Sequence, residues 1–320
     1  MRIIPIAKIA LLTAVISSCS GAGSTASSDT HNTDVNRALV VAASFYPIEE
    51  ITNRVGGDFV ITIEMTPPGQ SAHDVQLTIK DREELASASL VFYMGNGFQP
   101  DIEKAVTTLP ARITAVDLLQ SVPLLPVDAQ LEGTVGVPDG EVLNTGQDPH
   151  VWLDPANMIA MTHEITDAMV KARPDLSAGF EANAVAYIKE LESLGTFIDT
   201  SFAQCESDVL VTSHRAFAYF AQRAHLTQVA IAGVNPEEEP SVKSLETIAN
   251  FAKANKVSTI FFETLLPADL AQTLATKVGA TTDVLDPVEG IDSDARASGA
   301  TYISIQQDNV ARVVKGLRCS

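Results

Sequence analysis

The chain has 320 residues, of which 46% are hydrophobic and 19% are charged, values typical of a globular protein with one large domain or two lobes. Its 40 acidic residues outnumber 21 basic ones and give a net charge of −19. This excess argues against a nucleic-acid ligand, whose phosphates it would repel, and is compatible with a protein that collects cations. Solubility alone is an equally good reason for most of the charge.

The first 18 residues have the features of a bacterial export signal. Arg2 and Lys8 form a short positive region, and residues 9–16 form an apolar stretch too short to span a bilayer as a mature helix. The sequence ISSC at 16–19 resembles a bacterial lipobox. We therefore expect cleavage before Cys19 and a lipid on its thiol; an ordinary signal peptide with an incidental cysteine is the alternative.

Residues 19–37 are rich in Ser, Thr, Gly and Ala without an apolar period, and predict a flexible tether. From residue 38 onwards, short apolar runs alternate with helical segments. This alternation predicts parallel sheets that helices cover on both faces. The predicted strands are 38–43, 59–64, 89–93, 113–116, 208–212, 228–232, 258–262 and 283–285, and the predicted helices are 47–55, 78–88, 216–224, 242–254, 267–277 and 303–317.

One long helix is predicted between the two halves, over residues 174–204. Its apolar residues recur at helical spacing, at Phe180, Ala184, Tyr187, Leu191, Leu194 and Ile198. Gly179 and Gly195 weaken this prediction, because glycine disfavours helix interiors. The chain then divides into an N-terminal α/β lobe at 38–173, the linking helix, and a C-terminal α/β lobe at 205–320.

Two cysteines remain after the predicted cleavage, Cys205 and Cys319. Export places them in an oxidising compartment, where an even pair favours one disulfide. Such a bond would attach the C-terminal tail to the start of the second half. Two free buried thiols are the alternative.

Three histidines and one aspartate stand where a parallel sheet binds ligands, beyond the carboxyl ends of strands. His73 lies in a Pro- and Gly-containing loop after the second predicted strand, and His150 directly follows the predicted surface loop at 124–149. His214 and Asp286 directly follow two strands of the second half. Each alone has an ordinary explanation as a loop, core or turn residue. Together, three imidazoles and a carboxylate would complete a tetrahedral Zn²⁺ shell.

Several segments resemble the zinc- and manganese-binding solute-binding proteins of bacterial ABC importers (cluster A-I, the ZnuA/TroA-like family). They are PPGQSAHD at 67–74, DPHVWLDP at 148–155, SHRAFAYFAQRAHL at 213–226, NPEEEPS at 235–241, IFFETLLP at 260–267 and VLDPVEG at 284–290. The resemblance covers nearly all of residues 38–318 in order. It implies two α/β lobes, each a mostly parallel sheet flanked by helices, joined by one long rigid helix. It also implies a metal in the cleft between the lobes, held by His73, His150, His214 and Asp286.

Two departures from the family pattern bear on the choice of metal. Residues 124–147 contain no histidine, so the His-rich loop of many zinc members is missing. Manganese members typically carry Glu at the position of His214, and a nitrogen-rich shell favours Zn²⁺ over Mn²⁺. We expect Zn²⁺, with Mn²⁺ as the alternative. Glu263 either orients a histidine ring or acts as a helix N-terminal charge.

The expected function is capture of the metal and its delivery to an ABC-type permease by a lipid-anchored monomer on the extracytoplasmic side of the membrane. No catalytic role is expected, because four protein ligands would close the shell that a zinc hydrolase leaves open for water. His163-Glu164 lacks the second histidine of a metalloprotease motif. A surface adhesin is a further alternative, since lipid-anchored relatives have been given that role.

Overall fold

The computed structural model describes residues 38–127, 146–234, 236, 241–264 and 268–320. The predicted signal peptide, the tether with Cys19, most of the 124–149 loop and most of the NPEEEPS segment lie outside these residues. Among the described residues, no helix is long and apolar enough to cross a membrane.

The first sheet has four parallel strands in the order β2-β1-β3-β4. They are β1 (Leu39–Ala43), β2 (Val60–Glu64), β3 (Leu90–Tyr93) and β4 (Thr114–Asp117), with helices α1 (Tyr46–Gly56), α2 (Ile79–Ser87) and α3 (Pro100–Val106) in the connections. Thr78 caps α2: Asp81 N donates to Thr78 Oγ1 at 3.2 Å, and Thr78 N donates to Asp81 Oδ2 at 2.8 Å.

The second sheet repeats this topology, with four parallel strands in the order β6-β5-β7-β8. Its strands are β5 (Val209–Thr212), β6 (Thr227–Ala230), β7 (Thr259–Phe262) and β8 (Thr281–Val284). The helices that accompany the second sheet are α6 (Ala218–Arg223), α7 (Val242–Ala254), α8 (Asp269–Val278), α9 (Ser293–Ala297) and α10 (Tyr302–Gly316). The predicted architecture of two helix-flanked parallel sheets is therefore confirmed.

Two long helices lie between the sheets in sequence, α4 (Pro155–Ala172) and α5 (Ser177–Ser201). The buried face of α5 contains all six residues of the predicted apolar period. Helix α5 begins later than the predicted helix, because residues 174–176 form a separate 3₁₀ turn. A Cβ at Gly195 would lie 2.7 Å from Arg223 Nη2, so a larger residue there would require the Arg223 side chain to shift.

One large core extends through both halves of the molecule. It joins residues of the first sheet, of α4 and α5, and of the second half, for example Val41, Met161, Leu191, Phe261 and Val313. Two smaller clusters cover the outer faces of the two sheets. Because the main core is continuous, the two sheets and α5 pack as one body.

The predicted disulfide between Cys205 and Cys319 is present. Backbone hydrogen bonds accompany it, from Glu206 N to Leu317 O at 3.2 Å and from Ser320 N to Gln204 O at 2.9 Å. The C-terminal tail is thus attached beside the end of α5.

Candidate metal centre

Four side chains converge at the carboxyl ends of the two sheets: His73, His150, His214 and Glu289. One potential ligand atom from each lies within 4.8 Å of all the others. His73 follows β2 and His150 comes before a 3₁₀ turn at residues 151–153, whereas His214 follows β5 and Glu289 follows β8. Each half of the fold therefore supplies two of the four.

The distances among these atoms match a tetrahedral shell. His150 Nε2 lies 3.2 Å from His73 Nε2 and 3.4 Å from His214 Nε2. Glu289 Oε1 lies 3.4, 3.7 and 3.6 Å from the Nε2 atoms of His73, His150 and His214. A tetrahedral Zn²⁺ site with bonds of about 2.0–2.1 Å separates its ligand atoms by about 3.4 Å. One ion at the centre can therefore reach all four atoms.

Asp148 orients the imidazole of His150. Its Oδ1 accepts hydrogen bonds from the backbone N and from Nδ1 of His150, each at 2.9 Å, and both side chains are fully buried. A proton held on Nδ1 leaves the lone pair of Nε2 directed at the cleft centre. Burial lowers the pKa of His150 below its ordinary value, which favours the neutral ring that a metal requires.

Glu263 contacts His214 in the same way. Its Oε1 lies 2.6 Å from His214 Nδ1 and also accepts from His214 N at 3.2 Å and from Ser213 Oγ at 2.5 Å. Burial lowers the pKa of His214, but the charge of Glu263 outweighs it, so the pKa is raised overall. Glu263 directly follows β7 and is 3% exposed.

Glu289 supplies the carboxylate of the cluster. It is 3% exposed, and its Oε1 has no hydrogen-bond partner among the described residues. Burial alone would raise its pKa, but His73 and the other two histidines outweigh burial and hold the pKa of Glu289 to about 2. The nearest imidazole nitrogen, His73 Nε2, lies 3.4 Å from Oε1, and a buried, ionised oxygen with contacts this long is costly unless a cation completes its environment. Its position among three imidazoles therefore suits a metal ligand.

Asp286, which the resemblance implied as the fourth ligand, is not in this group. Its Oδ1 accepts from Val288 N at 2.7 Å, and Val288 has a φ of 57°. The side chain of Asn309 holds the main chain of Asp286 by two hydrogen bonds. Its Oδ1 accepts from Asp286 N at 2.9 Å, and its Nδ2 donates to Asp286 O at 2.7 Å. Burial, with the charges of Glu263 and Glu289, raises the pKa of Asp286 to about 6. Asp286 thus shapes the turn that directs Glu289 into the cleft.

Sequence reasoning did not single out Glu289. The available signal was the carboxylate three residues beyond Asp286, within VLDPVEG. The direction of that side chain depends on the left-handed backbone at Val288, which the sequence pattern does not predict for a β-branched residue.

Aromatic rings enclose the histidines. The ring centroids of His73 and Phe98 are 4.7 Å apart, and those of His150 and Trp152 are 5.2 Å apart. His150 and His214 are fully buried, whereas the side chain of His73 is 8% exposed. The cluster is therefore shielded from water on most sides and closest to solvent at His73.

The sequence matches the family model described as "ZnuA: Zinc-uptake complex component A periplasmic" over residues 41–316. It is 32% identical over 274 residues to the zinc-binding lipoprotein AdcA of Streptococcus pneumoniae (strain ATCC BAA-255 / R6), covering 85% of this chain and 54% of that protein. It is 30% identical over 279 residues to the high-affinity zinc uptake system protein ZnuA of Bacillus subtilis (strain 168), covering 85% of each. The chain thus spans about half the length of the first of these relatives.

Solved structures share the fold. The Zn(II)-bound ZnuA-like domain of Streptococcus pneumoniae AdcA superposes with a TM-score of 0.73 at 30% identity, covering 88% of this chain and 99% of that one. The laminin-binding protein Lmb of Streptococcus agalactiae, described as bifunctional with adhesin and metal transporting activity, gives a TM-score of 0.77 at 25% identity, covering 88% and 100%.

Proposed function

We propose that this chain, which belongs to the family of periplasmic zinc-uptake component A proteins, captures one Zn²⁺ ion between its two sheets and delivers it to an ABC-type permease. The observation that carries the proposal is the set of four ligand atoms at tetrahedral spacing, with Glu289 Oε1 lacking a hydrogen bond among the described residues. The proposed ligands are His73, His150, His214 and Glu289, with Asp148 and Glu263 as orienting partners.

Zinc is proposed over manganese because of the donor set. Three imidazole nitrogens and one carboxylate oxygen suit Zn²⁺, whereas Mn²⁺ prefers oxygen ligands and a larger number of them. The relatives support the same choice, since AdcA and ZnuA carry zinc in their names. Four protein ligands leave no position for a reactive water, and the family is one of zinc-uptake components, so the proposed role is binding without catalysis.

We further propose that the protein is exported and held at the membrane by a lipid on Cys19, and that it acts as a monomer. Support comes from the lipobox-like ISSC at 16–19 and from the lipoprotein name of AdcA. An adhesin role is suggested by the descriptions of laminin-binding neighbours such as Lmb. Since no feature of the described residues favours it, we do not propose it here.

A titration of metal-free protein with Zn²⁺ and, separately, with Mn²⁺ tests the proposal by calorimetry. We expect one Zn²⁺ per chain and tighter binding of Zn²⁺ than of Mn²⁺. His150→Ala, His214→Ala and Glu289→Gln should each weaken zinc binding strongly. His163→Ala is the matched control, because His163 lies exposed on α4. Tighter binding of Mn²⁺, or unchanged zinc binding by two of the three site variants, would contradict the proposal.

A further inference from the structure

Glu289 lies on a segment of the second half that the first half of the molecule holds at two points. Before Glu289, Trp152 Nε1 donates a hydrogen bond to Pro287 O at 2.7 Å, and this indole is fully buried. After Glu289, the short helix α9 places Arg296 against two carboxylates of the first half. The segment is therefore attached across the cleft on both sides of the proposed ligand.

Arg296 makes three hydrogen bonds to these carboxylates. Its Nη1 and Nη2 contact Glu49 Oε1 and Oε2 at 2.9 and 2.8 Å, and Nη2 also contacts Glu64 Oε2 at 2.9 Å. Glu49 lies in α1, and Glu64 is the last residue of β2. The guanidinium also lies over the ring of Tyr46, 5.6 Å from its centroid. We call Arg296, Glu49 and Glu64 the interlobe clasp.

The geometry of the clasp is that of a specific contact. A planar guanidinium that pairs with both oxygens of one carboxylate is held in a fixed orientation. The two acidic side chains are only 11% and 12% exposed, whereas Arg296 is 38% exposed. Solvent therefore screens the clasp in part, and its contribution is smaller than that of a buried ion pair.

We infer that Arg296 is a positioning residue for Glu289, and that the interlobe clasp slows the release of the bound ion. The inference rests on the proposed function. Asn309 ties the main chain of Asp286 to α10, so the Glu289 segment follows the second half whenever the two halves separate. Opening the clasp removes one of the contacts that keep this segment across the cleft. Loss of such a contact acts mainly on the dissociation rate.

Arg296→Gln tests the inference by stopped-flow release of Zn²⁺ into excess chelator. We expect release to accelerate roughly tenfold, the scale of a charged hydrogen bond that solvent partly screens. The association rate should change by less than about twofold. Arg312→Gln is the matched control, because Arg312 pairs with Asp283 at 2.7 Å within the second half and is similarly exposed, at 45%. Its release rate should equal that of the wild type.

Two further measurements separate positioning from a general loss of stability. With Co²⁺ as the probe, the visible spectrum of Arg296→Gln should shift toward that of Glu289→Gln, because the spectrum reports the ligands of the ion. Arg296→Lys should be intermediate, since lysine keeps the charge and loses the paired hydrogen bonds. The double variant Glu49→Gln/Glu64→Gln should release Zn²⁺ as fast as Arg296→Gln, and combining all three changes should add little.

The outcomes distinguish this inference from the proposed function. If Glu289→Gln releases Zn²⁺ faster and both Arg296→Gln and Glu49→Gln/Glu64→Gln behave like the wild type, the clasp has no such role and the ligand set stands. If Glu289→Gln also behaves like the wild type, the proposed ligand set is wrong and the inference falls with it. If Arg296→Gln does not fold, Arg296→Lys and the double glutamine variant decide the matter.

Discussion

Asp148 and Glu263 contact the two fully buried histidines through Nδ1, the ring nitrogen that does not face the cleft centre. Each carboxylate also accepts the backbone N–H of the same histidine. The ring and its main chain are therefore fixed together, which holds Nε2 in place before an ion arrives. Hydrogen bonds of this kind, between a carboxylate and the far nitrogen of a metal-binding imidazole, increase metal affinity because the ring loses less conformational freedom when the ion binds.

Glu263→Gln should weaken zinc binding by about 10- to 100-fold, because a neutral amide holds the imidazole less firmly than a carboxylate. A chelator competition at fixed pH measures this change. Glu206→Gln serves as the control, since Glu206 forms an exposed pair with Arg318 at 3.2 Å. Equal affinities for Glu263→Gln and the wild type would show that Glu263 does not support the site.

At the scale of elements, the alternating pattern predicted both sheets, and the apolar period predicted the buried face of α5. Helix α4 was missed, although Asp154 caps it by accepting from Ala156 N at 2.9 Å and Pro155 occupies its first position. Three histidines of the proposed site could be singled out from the sequence because they follow strand ends or framed loops. Glu289 was not, since its position depends on Val288 and on the contact from Trp152, neither of which leaves a local pattern.

The clasp also gives an expectation for stability against pH. Burial, together with the charge of Glu49, raises the pKa of Glu64 to about 8. A carboxyl group whose pKa is raised by folding stabilises the protein below its unfolded pKa, and this contribution is lost as the pH rises through the folded value. The metal-free protein should therefore lose stability between about pH 4.5 and about pH 8 through Glu64.

Glu64→Gln should reduce this loss, because glutamine does not titrate. The measurement is the melting temperature of metal-free wild type and variant at several pH values across that range. Glu206→Gln provides the comparison, being an exposed acid on the other half of the molecule. A wild type and a Glu64→Gln variant with parallel profiles would show that Glu64 titrates normally.

At the scale of the whole molecule, a continuous core and one disulfide join the parts of the fold. The core runs from the first sheet through α5 to α10. The disulfide Cys205–Cys319 connects the start of the second half to the C-terminal tail, across a sequence separation of 114. This arrangement favours small shifts over a wide opening of the cleft, since a wide opening would expose buried apolar surface.

Removing the disulfide with Cys205→Ser/Cys319→Ser should lower the free energy of unfolding by up to about 4–5 kcal/mol in the chain-entropy model. Denaturant unfolding of oxidised wild type and variant measures the difference. Zinc binding at low denaturant should be retained, because neither cysteine lies in the metal cluster. An unchanged unfolding midpoint would mean that the bond does not restrict the unfolded chain.

The three carboxylates around the histidines, on Asp148, Glu263 and Glu289, are 0%, 3% and 3% exposed. Buried carboxylates are costly unless hydrogen bonds or opposite charges balance them. Burial lowers the pKa of His214, but the charge of Glu263 raises it overall, so this imidazole keeps its proton more readily than a free one, and a metal ion that binds Nε2 would displace that proton. On the proposed function, loading is therefore an exchange of ions, in which the protein would return a proton to the surrounding solution for the zinc it takes up. The acidity of that solution then becomes part of the equilibrium between the empty and the loaded protein.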